Sequence, residues 1–258
     1  MDLIQALAAE LGKDPRHVEN VVHLLDEGNT IPFIARYRKE LHGAMDDTSL
    51  RTLEERLQYL RGLEERREAV KKSIDEQGKL TDELAAAIDS AKTLAEVEDL
   101  YRPYKQKRRT RATMAKEKGL EPLAALLFAQ ERDCPRPEEA ARDFVDPEKG
   151  VETVEDALQG ASDIIAEQIS DDAAIRKSLR ALISRQGQLV SRAAAEDDSV
   201  YRLYYDFTQS VARLQGHQVL AINRGEKEGI LKVSITLDRE QALPLLRRAV
   251  VKPGSAAK

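Results

Sequence analysis

Apolar residues recur three and four positions apart over most of the chain, with glycine, proline and capping residues between the stripes. Leu3, Ile4, Leu7 and Leu11 form one such stripe and Gly12 closes it. Asp14 before Pro15 reads as an N-cap with proline at the first helical position. Val18, Val21, Val22 and Leu25 carry the next helix to Gly28. Thr30 opens TIPFIARYRKEL, in which Ile31, Phe33, Ile34 and Tyr37 read as core by spacing. A long helix is expected from Asp47 or Thr48, with Leu50, Leu53, Leu57 and Leu60 in register and a thinner stripe through Leu63, Val70 and Ile74. The thin stripe and its acid–base pairs predict an exposed helix or half of a helical hairpin, ending at Gly78. Thr81 caps the return helix, and Thr93 with Glu96 fits a capping box.

Beyond residue 119 the same logic continues. Gly119 and Pro122 are a stop and a start, Thr153 opens VEDALQGASDIIAEQIS, and Asp171 or Asp172 caps AAIRKSLRALISRQ. The pattern changes near Gly187. Leu231, Val233, Ile235 and Leu237 alternate with Lys232, Ser234 and Thr236, which predicts a strand. A single strand is not stable, so either residues 188–194 pair with it or its partner lies outside this sequence. The fold class expected is mainly α: helical hairpins in an elongated helical bundle, with a small C-terminal α/β patch. Residues 1–186 form the helical region and 187–258 the mixed helix and strand segment.

Composition agrees. Aromatic residues are 4% of the 258, tryptophan is absent, and Gly (13) and Pro (9) are few, which argues against an all-β sandwich. One cysteine, Cys134, makes no internal disulfide, and His17, His23, His42 and His217 lack metal-ligand spacing. No apolar run approaches the roughly 20 residues of a membrane span, and the N-terminal residues lack a signal-peptide pattern. A cytoplasmic protein without membrane contact is therefore expected. No phosphate-binding loop, nucleophile elbow or metalloprotease motif occurs, so neither an enzyme nor a bound cofactor is expected. RGEKEG (224–229) reads as a charged turn between a helix and a strand.

Net charge is only −5, but it is unevenly distributed. Residues 102–118 hold eight basic groups and one acid, net +7, so the other 241 residues sum to −12. Two readings of this block are open. Lys105, Lys107, Arg108, Arg109, Arg111 and Lys116 would neutralise phosphates, with Tyr104, and Tyr101 before it, stacking on bases. Alternatively the block is an internal strut, its cations paired with helix C-termini and nearby acids, or a docking surface for a neighbouring domain. Arg36, Arg38 and Lys39 are a solvated face or a second partner surface.

Three segments, NTIPFIARYRKEL (29–41), EDLYRPYKQKRRTRATMAKEKGLEPLA (98–124) and HQVLAINRGEKEGIL (217–231), resemble the bacterial Tex family of transcription accessory proteins and occur in its order. The resemblance spans essentially the whole chain and places it at the N-terminal third of such a protein. It implies a helical region with a helix–turn–helix-like element, leading toward an RNase H-like domain, helix–hairpin–helix modules and an RNA-binding OB-fold that lie outside this sequence. It further implies RNA or DNA as partners, with help from those C-terminal domains, and RNA polymerase or other transcription proteins as a second class of partner. The function expected is a non-enzymatic helical module contributing to nucleic-acid binding in transcription. The alternative is a protein-docking scaffold packing against other Tex domains or the transcription machinery without touching nucleic acid.

Overall fold

The computed structural model describes residues 3–194 and 199–255. Among them are thirteen α-helices and one three-stranded antiparallel sheet. No helix among the described residues is long and apolar enough to cross a membrane. The chain packs as two units, residues 1–101 and 102–258. The change from helices to mixed structure at Gly187 is thus internal to the second unit.

The first unit holds α1 (Leu3–Leu11), α2 (Pro15–Asp26), α3 (Ile31–Tyr37), α4 (Asp47–Asp75), α5 (Asp82–Ser90) and α6 (Leu94–Tyr101). The helices begin where capping chemistry begins. Asp14 accepts from the Arg16 amide, Asp46 from Ser49 and Thr81 from Leu84. The α4 cap is Asp46, one residue before the expected start. Leu7, Val18, Val21, Ile31, Ile34, Leu50, Leu53 and Leu57 form the core. The thin half of α4 is covered as a hairpin would cover it: α5 and α6 pack back on it, and Ile88 and Val97 are buried with Val70 and Ile74.

Helix α3 departs from its expected pattern. It ends at Tyr37, and the chain turns through residues 38–44. Ile31 and Ile34 are buried as expected, but Tyr37, the last residue of the helix, is 56% exposed, because at 3.6 residues per turn it is rotated away from the face that Ile31 and Ile34 bury.

Two ion pairs tie α4 to the first hairpin. Arg56 bonds Glu10 at 2.7 Å and Arg61 bonds Asp26 at 2.7 Å. Each guanidinium holds its partner carboxyl below the ordinary carboxylate range, chiefly through the hydrogen bond. Folded-state values that are depressed contribute stability above the unfolded-state pKa and lose it as pH falls through the folded one. Thermal melts should therefore show a stability decline below about pH 4 that is shallower in Glu10→Gln; an unchanged acid slope in that variant would remove the pair from the account.

The second unit holds α7 (Arg111–Glu117), α8 (Glu121–Ala129), α9 (Pro137–Ala141), α10 (Val154–Asp171), α11 (Ala173–Gln186), β1 (Gln188–Ala193), β2 (Asp206–Ser210), α12 (Gly216–Lys227), β3 (Leu231–Thr236) and α13 (Arg239–Val250). Thr153 and Asp156 form a capping box at the start of α10, and Asp172 caps α11. The α7–α10 core is built from Ala112, Ala115, Leu120, Leu123, Ala157, Ala161 and Ile164. Its small residues let α10 approach closely, Gly160 lying against Leu120 and Ala115.

The expected strand is β3, and its partner is β1, with Leu189 opposite Ile235 and Ser191 opposite Val233. β1 also pairs with β2 on its other side, giving the order β2-β1-β3. RGEKEG is the last turn of α12 and its stop: Gly229 has φ +75°, and the Ile230 amide donates back to the Gly225 carbonyl at 3.0 Å. Arg224 pairs with Glu228 at 3.0 Å, and both it and the Tyr201 hydroxyl hold the Glu228 carboxyl below its ordinary range. Gly225 has no room for a side chain, since a Cβ there would stand 2.7 Å from Leu231 Cδ1.

Candidate nucleic-acid interface

The basic block starts as a 3-10 turn, residues 102–104, runs through an extended loop and ends in α7. It lies against one face of α10. Asp163, Glu167 and Asp171 are four residues apart, a spacing that stacks side chains along one helix face. Arg102 Nε donates to Asp171 Oδ1 at 2.9 Å. Lys107 Nζ donates to Asp171 Oδ2 and lies 3.4 Å from Glu167. The Thr110 hydroxyl donates to Glu167 at 3.0 Å, and Arg111 stands 3.8 Å from Asp163. Thr110 also caps α7 in a capping box with Thr113. The result is a clasp in which three carboxylates of α10 fix the loop at three successive points.

Burial separates these contacts into two kinds. Asp171 keeps 10% of its side chain exposed and Lys107 24%, so that pair is shielded from solvent and from salt. Arg109 and Arg111 keep 71% and 80% of their side chains exposed. The Arg109–Glu117 pair at 3.1 Å and the Arg111–Asp163 pair are of the exposed class, worth about 0–1 kcal/mol each. Lys116 pairs with Glu121 at 3.1 Å. Lys118 donates to the Gly150 carbonyl at 2.7 Å. Arg108 is exposed and has no carboxylate partner among the described residues. Lys105 is exposed and Tyr104 half-buried.

The clasp therefore divides the expected phosphate ligands. Lys107 is an anchor facing α10. Arg108, Arg109 and Arg111 point outward or are held only by weak pairs. Tyr101 differs from its expected role as a base platform: its hydroxyl shares a hydrogen bond with Ser73 at 2.9 Å, and Arg66 covers its ring at 5.4 Å. In the first unit, Arg36 and Lys39 are exposed, while Arg38 lies over the Phe33 ring at 5.6 Å. The acidic face of α10 is a functional feature absent from the sequence-based expectations, although the four-residue repeat of Asp163, Glu167 and Asp171 is a signal that marks it.

A mainly α scaffold with a cationic loop clasped to an acidic helix is the class of module these features define. Family comparison gives it a place. Residues 1–75 match the Tex-like protein N-terminal domain, and residues 133–252 match the Tex central region-like family. The chain belongs to the Tex family. It is 42% identical to the Transcriptional accessory protein Tex of Neisseria gonorrhoeae over 239 residues, 91% of this chain and 31% of that protein. It is 48% identical to protein YhgF of Escherichia coli over 235 residues, 90% of this chain and 30% of that protein. A human protein, S1 RNA-binding domain-containing protein 1, is 30% identical over 247 residues, 92% of this chain and 24% of its own length. The chain thus spans about a third of the length of the curated relatives it matches, 36% and 30% for two of them.

Proposed function

We propose that this chain is a non-enzymatic helical module of a transcription accessory protein and that it contributes nucleic-acid contacts through the outer side of its basic loop. The observation that carries the reading is the division within the clasp. Arg102 and Lys107 hold the loop against α10, while the exposed guanidinium groups of Arg109 and Arg111 are held by pairs that phosphate can displace at little cost. Arginine suits this work because its planar fork bonds phosphate oxygens two at a time. The names of the relatives, a transcriptional accessory protein and an S1 RNA-binding domain protein, support the same direction.

Docking against a partner protein is the second reading. One observation favours it: at least five of the eight cations in the block already face carboxylates of this chain. Salt dependence separates the two. Each phosphate neutralised contributes about 0.9 to the slope of log affinity against log salt on duplex and about 0.7 on single strands. Replacing Arg108, Arg109 and Arg111 with alanine is expected to flatten that slope by about 2.7 on duplex and about 2.1 on single strands. An unchanged slope removes the loop as the phosphate site, and failure of the unmodified chain to bind at low salt leaves docking.

A further inference from the structure

The cations at the end of α3 differ from most of those in the basic block in having no carboxylate partner among the described residues. Residues 31–43 contain Arg36, Arg38 and Lys39 and one acid, Glu40. Arg36 and Lys39 are exposed and have no carboxylate partner among the described residues. Arg38 is turned onto the Phe33 ring at 5.6 Å and donates to the Tyr37 carbonyl at 3.4 Å, again without a carboxylate. By count the 102–118 segment is the more basic, but none of Arg36, Arg38 and Lys39 has a carboxylate partner among the described residues.

An aromatic pair lies among these cations. Phe33 and Tyr37 are one helical turn apart, with ring centroids 5.2 Å apart and planes tilted by 45°. Phe33 backs Tyr37 and restricts its rotamers, and Arg38 backs Phe33. Tyr37 itself remains 56% exposed, and its hydroxyl has no partner among the described residues. An exposed aromatic ring with cations beside it in the chain that have no carboxylate partner is an arrangement by which proteins hold an unpaired base and the phosphates beside it.

We propose that the end of α3 is a second nucleic-acid site, specific for single strands, in which Tyr37 stacks on an unpaired base and Arg36, Arg38 and Lys39 hold the flanking phosphates. Duplex is excluded as the preferred ligand because its bases already stack on one another and offer no free face to the ring. An acidic polypeptide would satisfy the cations but leave the ring without a stacking partner. The site belongs to the first unit and does not depend on the basic loop binding anything.

The test uses the whole 258-residue chain. The chain contains no tryptophan, so Tyr37→Trp introduces a single indole at the site. Its emission is expected to be quenched by a short oligothymidine or oligouridine and unchanged by a duplex of the same length; the two oligomers distinguish DNA from RNA. Tyr37→Ala should weaken single-strand binding about five- to hundredfold and leave duplex binding as it was, while Tyr37→Phe retains affinity. Replacing Arg36 and Lys39 with alanine should flatten the single-strand salt slope by about 1.4. Circular dichroism of each variant reports whether α3 is still folded. Equal single-strand affinity in Tyr37→Ala, or an indole indifferent to the oligomers, overturns the site while sparing the loop at Arg108 and Arg109. Quenching by polyglutamate as strong as that by oligothymidine overturns it too, as does a lack of single-strand binding by the unmodified chain.

Discussion

Gly160→Ala is expected to destabilise the second unit by about 1–3 kcal/mol, the range for overpacking a well-filled core. Helix propensity alone gives the opposite sign, since alanine is favoured over glycine inside a helix by about 1 kcal/mol. The packing decides. A Cβ at Gly160 would press into Leu120 Cδ1, with Ala115 Cβ at 3.3 Å on the other side. Leu120 is 1% exposed and packed within the α7–α10 core, so it has no free volume to retreat into. Urea melts should show a lower midpoint with an unchanged slope. Trimming the obstacle supplies the control. Leu120→Ala alone opens a cavity, but combined with Gly160→Ala it should cost less than the sum of the two, because the residues share one contact. A stabilised Gly160→Ala protein would show that α10 is not closely packed at this turn.

Asp171→Ala has the second large effect, and it is local. Arg102 and Lys107 both bond this carboxylate, and removing it takes that partner from both cations and leaves Lys107 with Glu167. Breaking a fully buried pair costs several kcal/mol, but Arg102 is 45% exposed, so solvent recovers part of the loss. About 1–3 kcal/mol is expected, in line with hydrogen bonds to charged groups. Hydrogen exchange should accelerate through residues 102–110 while the amides of α8 and α10 keep their protection. Lys107→Met in the same background tests the coupling: the double variant should be less destabilised than the sum of the singles. Unaltered exchange in the loop would mean that Thr110 and the start of α7 hold it without the clasp.

Local chemistry explains what was legible beforehand. Asp14, Thr81, Thr153 and Asp172 each accept the backbone bond expected of a cap. Gly12, Gly28 and Gly78 each end a helix with positive φ. Such signals are confined to a few adjacent residues. β3 was visible in its alternation, whereas β2, DFTQS, has one large apolar residue and no period to detect. α13 was obscured by Pro244, which the helix carries in its interior although proline removes a hydrogen bond there. The clasp was hidden for a different reason. Its partners are 64 and 69 residues apart in the chain, and no local window contains both. Part of the block's net charge of +7 is therefore met by carboxylates in the fold, and the shorter cationic run at the end of α3 gains in weight.

The strand order also bears on when each part of the chain can form during synthesis. β1 emerges first yet occupies the middle of the sheet, with β2 on one side and β3 on the other. Its pairing with β3 joins Gln188 to Thr236, so a ribosome must have delivered residue 236 before that ladder closes. The contacts among α7, α8 and α10 span shorter loops and can consolidate sooner. A nascent chain halted before Leu231 would leave β1 with one bare edge, open to the kind of mispairing that unprotected strands invite.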